Sequence, residues 1–297
     1  MSALSRRAFL QSSAAAAVAA SAFPPSLLAA GHKISPIGLE LYTVRNLLDA
    51  DLDGTLAKVA AAGYKEVEFP GYRKFTPAVL RAAIDRAGLV SPSTHIDYKT
   101  VVGGMPQAID AAHILGHKFL VNPSIDEAVI SQPDGWKHAA EAFNRAGEAC
   151  KNAGLQFAYH NHWAEFKPMP DGALPYDVLL QECDAKLVAF EMDLCWVNVG
   201  GGDPIAYFKR YPGRFPLVHV KDMKKLPHPS AREGAAIPEK DLLPEMTEVG
   251  IGVIDWKHLF ANSGKAGIQH YFVEHDAPAD PIASITTSYA YLSALRF

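Results

Sequence analysis

At 297 residues the chain suits one large α/β domain or two small ones, and with 49% of its residues apolar it can bury a large core. Its 28 basic and 32 acidic side chains leave a formal charge of −4 and no basic stripe, which excludes nucleic acid as the default partner. Three cysteines, Cys150, Cys183 and Cys195, make an odd number without CxxC spacing, so no disulfide framework is expected and the thiols are read as buried.

Residues 1–30 read as a targeting segment. Ser5-Arg6-Arg7-Ala8-Phe9-Leu10 precedes an alanine-rich run from Ala14 to Ala22, then Pro24-Pro25 and small residues up to Ala30. The pattern resembles a bacterial twin-arginine signal, which implies export of the folded protein to the periplasm or beyond. The run is too short and too weakly apolar for a permanent anchor, and no later segment is long enough, so no stable membrane span is expected. Residues 31–297 are assigned to a single catalytic domain.

After residue 33 one phrase repeats: a short β-branched or aromatic run, a polar turn, an amphipathic helix. The strands centre on Ile37–Tyr42, Glu66–Phe69, Leu89–His95, Lys118–Asn122, Leu155–His160, Leu187–Asp193, Pro216–Val220 and Ile268–Glu274. Thr76-Pro77, Asp203-Pro204 and Asp280-Pro281 each place a capping side chain before a proline suited to the first helical position. Gly63, Gly88 and Gly154 fall where helices should stop. Trp136, Ala139, Ala140, Phe143, Ala146 and Cys150 share one helical face, and Gly147 on that face would let a neighbour approach closely. Strands alternating with helices predict a parallel sheet closed as a (β/α)8 TIM barrel. An open doubly wound sheet is the rival, but the Gly-rich phosphate turn it usually carries is missing. Residues 223–252 hold Pro227, Pro229, Pro238 and Pro244 and are read as an unstructured stretch, a lid or an insertion, over the barrel's C-terminal face.

Barrel enzymes carry their chemistry at the C-terminal ends of strands. Here those ends are Glu40, Glu68, His95, Asn122, His160, Asp193, His219 and Glu274. Four clusters stand out: Tyr159-His160-Asn161-His162-Trp163-Ala164-Glu165-Phe166, Phe190-Glu191-Met192-Asp193, Val218-His219-Val220-Lys221-Asp222 and Phe272-Val273-Glu274-His275-Asp276. Glu191 and Asp193 share a strand face. Carboxylates and an imidazole delivered by successive strands suit one divalent ion, and the donor types do not choose among Mn, Mg, Co, Fe and Zn.

These clusters, with Ile37-Gly38-Leu39-Glu40-Leu41-Tyr42-Thr43-Val44-Arg45 at the start and Gly250-Ile251-Gly252 before Asp255-Trp256, resemble the sugar phosphate isomerase/epimerase superfamily of xylose isomerase-like barrels. The resemblance covers nearly all of the chain after residue 33. It implies one divalent cation held by Glu, Asp, His and Glu. Asp193, His219 and Glu274 match three of the four. Many relatives have glutamate where this chain has His160, so Glu165 is taken as the replacement carboxylate, with His160 the alternative ligand. Glu40 stands where close relatives often have glutamine.

The resemblance implies metal-assisted isomerisation or epimerisation of a sugar or polyol through an enediolate. The alternatives are a lyase or dehydratase acting on a keto-sugar or polyol, and a non-catalytic sugar-binding barrel. An abasic-site nuclease ranks last because the chain lacks a basic DNA-facing surface. His162 is the first choice for acid–base work and His160 the second, because imidazole titrates near neutrality. Lys221 is read as polarising a substrate oxygen or binding an acidic group of the substrate. Glu40, Tyr42, Glu68, His95 and Trp196 are the candidate contacts to a small-molecule carbohydrate substrate, Tyr42 and Trp196 by stacking, as for Trp163. A homo-oligomer is compatible with this reading.

Overall fold

The computed structural model describes residues 31–228 and 236–297, so the segment expected to be a twin-arginine signal lies outside the described residues. Strands β1 (Ile37–Glu40), β2 (Glu66–Phe69), β3 (Val90–His95), β4 (Phe119–Asn122), β5 (Gln156–His160), β6 (Val188–Asp193) and β7 (Leu217–Val220) follow the predicted order. Two short strands, β8 (Asp222–Met223) and β9 (Met246–Thr247), precede the last barrel strand, β10 (His270–Val273). The sheet closes in the order β1-β10-β7-β6-β5-β4-β3-β2, and every barrel pairing is parallel. This is the (β/α)8 barrel expected from the alternation. Residues 33–295 make one compact unit.

Local signals behave as their chemistry requires. Thr76, Asp203 and Asp280 each accept a hydrogen bond from a backbone N–H of the first helical turn, with proline in that turn. Gly63 and Gly88 end their helices in the left-handed region. The helix Gly135–Asn152 buries Ala139, Ala140, Phe143, Ala146, Gly147 and Cys150. A Cβ on Gly147 would lie 2.5 Å from the carbonyl oxygen of Leu187, just before β6. Gly147→Ala should therefore lower stability by about 1–3 kcal/mol, the usual cost of overpacking. An unchanged urea midpoint would show that the helix can shift away at no cost. All three cysteines are buried and free, as expected.

Strand parity sends one face of each strand into the barrel. Leu217 and His219 on β7, Glu66 and Glu68 on β2, and Glu191 and Asp193 on β6 are such pairs. An apolar cluster of Phe119, Val121, Ala158, Leu217 and Phe272 fills the interior, so the polar residues one step further along the strands gather above it.

The described part of the segment after β7, residues 223–228 and 236–252, carries more secondary structure than its prolines predict; Pro229 lies outside the described residues. β8 and β9 pair antiparallel, and Glu239–Leu242 forms a helical turn. Met223, Leu242 and Met246 pack on Cys195, Trp196 and Val199. The buried Asp222 carboxylate accepts from the backbone N–H groups of Met223, Gly250 and Ile254 and from Trp256 Nε1. That explains the Gly-Ile-Gly and Asp-Trp pattern, because a Cβ on Gly252 would sit 2.1 Å from Asp222 Oδ1. Among the described residues no helix is long and apolar enough to cross a membrane.

Candidate active site

The barrel's C-terminal face carries a pocket of about 480 Å³, a size suited to a small molecule. Its walls include Tyr42, His95, Asp97, His160, His162, Trp163, Trp196, Lys221, Glu239, Glu274 and Asp276. Trp163 and Trp196 form a tilted aromatic pair with ring centroids 4.7 Å apart. Trp163 Nε1 donates to the carbonyl of Ile237, which ties the post-β7 segment to the pocket wall.

Below the pocket lies a dense set of carboxylates and imidazoles. His219 Nδ1 is 2.7 Å from Glu274 Oε2, and His219 Nε2 is 2.8 Å from Glu68 Oε2 and 3.2 Å from Glu191 Oε2. His160 Nδ1 is 3.1 Å from Glu191 Oε2, while its Nε2 lies 4.0 Å from Asp193 Oδ2. His95 Nε2 reaches Glu191 at 3.2 Å and Glu68 at 3.4 Å. Lys221 Nζ sits among Glu274 at 2.7 Å, Asp276 at 2.9 Å and Asp193 at 3.2 Å.

These contacts set the charges. Burial would raise the Glu274 carboxyl, but the Lys221 ammonium and the bond from His219 hold it well below the usual range. Burial opposes charge on His219, yet Glu191, Glu274 and Glu68 raise its pKa well above that of free imidazole. Burial likewise opposes charge on Lys221, and Asp276, Glu274 and Asp193 overcome it. Burial, then the like charges of His219 and His162, lower His160. Burial, reinforced by the Lys221 ammonium, lowers His162 to about 3, so this half-buried ring is neutral at neutral pH. Burial pushes Asp276 up to about 7 against the pull of Lys221, which makes it a carboxyl able to exchange protons near neutrality.

Among the described residues, three groups have ligand atoms within 4.8 Å of one another and could hold a metal ion. They are Asp193–His219–Glu274, His95–His160–Glu191–His219 and Glu40–Glu68–His95–His219. Their chemistry fits a divalent cation. Glu68 Oε1 and Glu191 Oε1 are buried and accept no hydrogen bond, while Asp193 Oδ2 has an ion pair with Lys221 Nζ at 3.2 Å; buried carboxylate oxygens are costly unless they pair or coordinate a metal.

The sequence-derived candidates fall into three places. Asp193, His219 and Glu274 come together as expected, and His160, His162, Lys221, Tyr42, His95 and Trp196 line the pocket. Glu40 and Glu68 are fully buried and do not line it; Glu40 accepts from its own turn at the N–H of Tyr42. Glu165, expected to be a ligand, stands outside all three groups. The short 3₁₀ turn Ala164–Phe166 aims its Oε1 at the Tyr159 hydroxyl, 2.7 Å away, and at the backbone N–H of His162, 2.9 Å away. The residue at the expected ligand's strand end is His160 itself. Asp276 went unassigned in the sequence because its partner Lys221 comes from another strand. Glu191 went unassigned because its partners His95, His160 and His219 do so too.

Lys221→Met would leave three buried carboxylates without their ammonium. Breaking a buried ion set typically costs about 3–5 kcal/mol, so the metal-free protein should melt markedly lower, and added divalent ion should recover more stability than in the parent. Equal melting curves without metal would mean the ammonium contributes no net stability.

Comparison with known proteins agrees with this layout. The chain is 23% identical to an inosose dehydratase of Lacticaseibacillus casei over 289 residues, covering 86% of this chain and 92% of the relative. The crystal structure of a sugar phosphate isomerase/epimerase from Parabacteroides distasonis superposes with a TM-score of 0.73 at 26% identity, covering 91% of this chain and 98% of that one. An L-ribulose 3-epimerase structure shares the fold, with a TM-score of 0.59 at 15% identity and coverage of 87% and 93%. The model of the xylose isomerase-like TIM barrel family matches residues 56–293. With that match, the closed parallel barrel and the carboxylate–imidazole cluster at the ends of its strands, the chain belongs to the xylose isomerase-like TIM barrel family.

Proposed function

We propose that the protein is a divalent-metal-dependent enzyme that removes the proton α to a carbonyl of a sugar or polyol. The observation that carries this reading is the pocket itself: a neutral imidazole, His162, and a proton-bearing Lys221–Asp276 pair line one cavity directly over the Asp193–His219–Glu274 cluster.

The residues that would hold the cation are His160, Asp193, His219 and Glu274. A cation there supplies Lewis acidity for a substrate carbonyl oxygen and the hydroxyl beside it. His162, neutral at working pH, is the group placed to take the carbon-bound proton; its depressed pKa makes it a weaker base than the imidazole expected from the sequence, so the step depends on the cation acidifying the C–H bond. Asp276, its carboxyl raised by burial, can hold a proton near neutrality, and Lys221 Nζ fixes the orientation of that carboxyl through the 2.9 Å bond to Oδ1. Trp163 walls the pocket and can present a flat face to a sugar ring, whereas Trp196, expected to stack, is fully buried behind it among Cys195, Val199, Met223 and Met246. Asp97, Glu239, Glu274 and Asp276 all line the cavity, and Lys221 is already engaged by carboxylates. Such a lining favours an unphosphorylated substrate.

Return of the proton gives an epimer or isomer; transfer of the Asp276 proton to a departing β-hydroxyl gives dehydration. The likeness to inosose dehydratase, spanning nearly all of that protein, favours the second outcome on a keto-polyol or keto-sugar. The test is a screen of the metal-loaded protein against keto- and aldo-sugars and inososes in deuterated water. Deuterium entering one carbon position of recovered substrate or of an isomer supports proton transfer alone. A product lighter by one water supports the dehydratase. No exchange and no product from any member would sink the reading and favour a binding barrel.

A further inference from the structure

His160 and His219 each show two different environments on their two nitrogens. The side facing the pocket meets Asp193 and Glu274: His160 Nε2 is 4.0 Å from Asp193 Oδ2, and His219 Nδ1 is 2.7 Å from Glu274 Oε2. The side facing the barrel interior meets two fully buried carboxylates. His160 Nδ1 is 3.1 Å from Glu191 Oε2, and His219 Nε2 is 2.8 Å from Glu68 Oε2 and 3.2 Å from Glu191 Oε2. Neither Glu191 nor Glu68 lines the pocket, so neither touches substrate.

The backbone explains the pairing. Glu191 stands opposite His160 in the β5–β6 register, two residues before Asp193 on the same strand face. One strand therefore delivers a ligand and, one layer deeper, the group that orients its neighbour. Glu68 comes from β2 and reaches His219 on β7 across the interior, since these strands are not adjacent.

We propose that Glu191 and Glu68 are positioning residues for the metal site: by accepting the N–H of His160 Nδ1 and of His219 Nε2, they hold both rings so that His160 Nε2 and His219 Nδ1 face Asp193 and Glu274, ready to give a lone pair to a cation once it displaces the proton that His219 Nδ1 shares with Glu274. This rests on the metal reading above. A carboxylate behind a ligating imidazole holds the ring and raises its basicity, and losing it typically weakens metal binding about 10–100-fold. Glu191 lies within 3.2 Å of three rings, His95, His160 and His219, whereas Glu68 reaches only His95 and His219, so the loss of Glu191 should be felt more than that of Glu68.

The test uses the full-length protein stripped of metal and titrated with Co²⁺ against a competing chelator, in the parent, Glu191→Gln, Glu191→Asp and Glu68→Gln. Ion content, Co²⁺ visible spectrum and melting temperature of the stripped form are read together. The parent should take one ion. Glu191→Gln and Glu68→Gln should still take one, with affinity lower by about 10–100-fold and a shifted Co²⁺ spectrum. Glu191→Asp, which keeps the charge, should recover part of the affinity. A role in folding alone would lower the melting temperature of the stripped variants and leave affinity and spectrum as in the parent, which overturns the proposal. So would two ions in the parent and one in the glutamine variants, because Glu191 or Glu68 would then be a ligand of a second cation. A parent that takes no Co²⁺ fails earlier, at the metal reading, and removes the proposal with it.

Discussion

Asp193→Asn should leave a folded barrel with no tightly held divalent ion and with turnover reduced by at least about 10²–10³-fold, the scale seen when a stabiliser of developing charge is removed. Asparagine is the informative replacement because Asp193 has two jobs. Its Oδ1 accepts from the backbone N–H of Trp196 at 2.7 Å and caps the helix Leu194–Gly200, while its buried Oδ2 pairs with Lys221 Nζ at 3.2 Å. Asparagine can keep the cap and removes the charge. Asp193→Ala removes both and should add a stability loss of about 1 kcal/mol for the cap. Glu274→Ala should lose the ion as well, and it also frees Lys221 Nζ from its 2.7 Å partner. Elemental analysis of the three purified variants decides the matter. Full metal occupancy in Asp193→Asn and Glu274→Ala together would refute the ligand assignment, whatever their activity.

Why these two residues were legible while others were not follows from the fold. Asp193 ends β6 and Glu274 immediately follows β10, and a strand end in a parallel barrel faces the site by parity alone. The eight strands themselves were legible because each apolar run is bounded by a capped helix or a helix-ending glycine. Depth was not legible. Glu68 pairs in register with Glu40 on one side and Ser93 on the other, and this stagger sets both carboxylates beneath the pocket, where Glu68 meets His219 rather than a substrate. Direction within a turn was not legible either. Glu165 follows His162 by three residues, but a 3₁₀ turn sends its carboxylate back to the His162 amide and to Tyr159. Pairs between neighbouring strands that are far apart in sequence, such as Lys221 after β7 with Asp276 after β10, appear only once the sheet register is set.

The same distinction between holding the ion and moving the proton fixes what His162 should do. His160 and His162 lie two residues apart, and their ring centroids are 5.0 Å apart, yet their surroundings differ. His160 is 2% exposed and anchored to Glu191 on the ligand side of the site. His162 lines the pocket wall and belongs to none of the three candidate metal groups. His162→Ala should therefore keep the ion and the fold and lose turnover by about 10²–10⁴-fold, the usual contribution of a general acid or base. Glutamine at the same position should recover little of that loss, since an amide cannot accept the proton. His160→Ala should instead lower metal affinity first, with turnover recovering in part at high metal concentration. Initial rates and metal content measured on the same preparations separate the outcomes. Metal loss in His162→Ala would make it a ligand, and parental turnover in that variant would transfer the base to His160 or to Asp276.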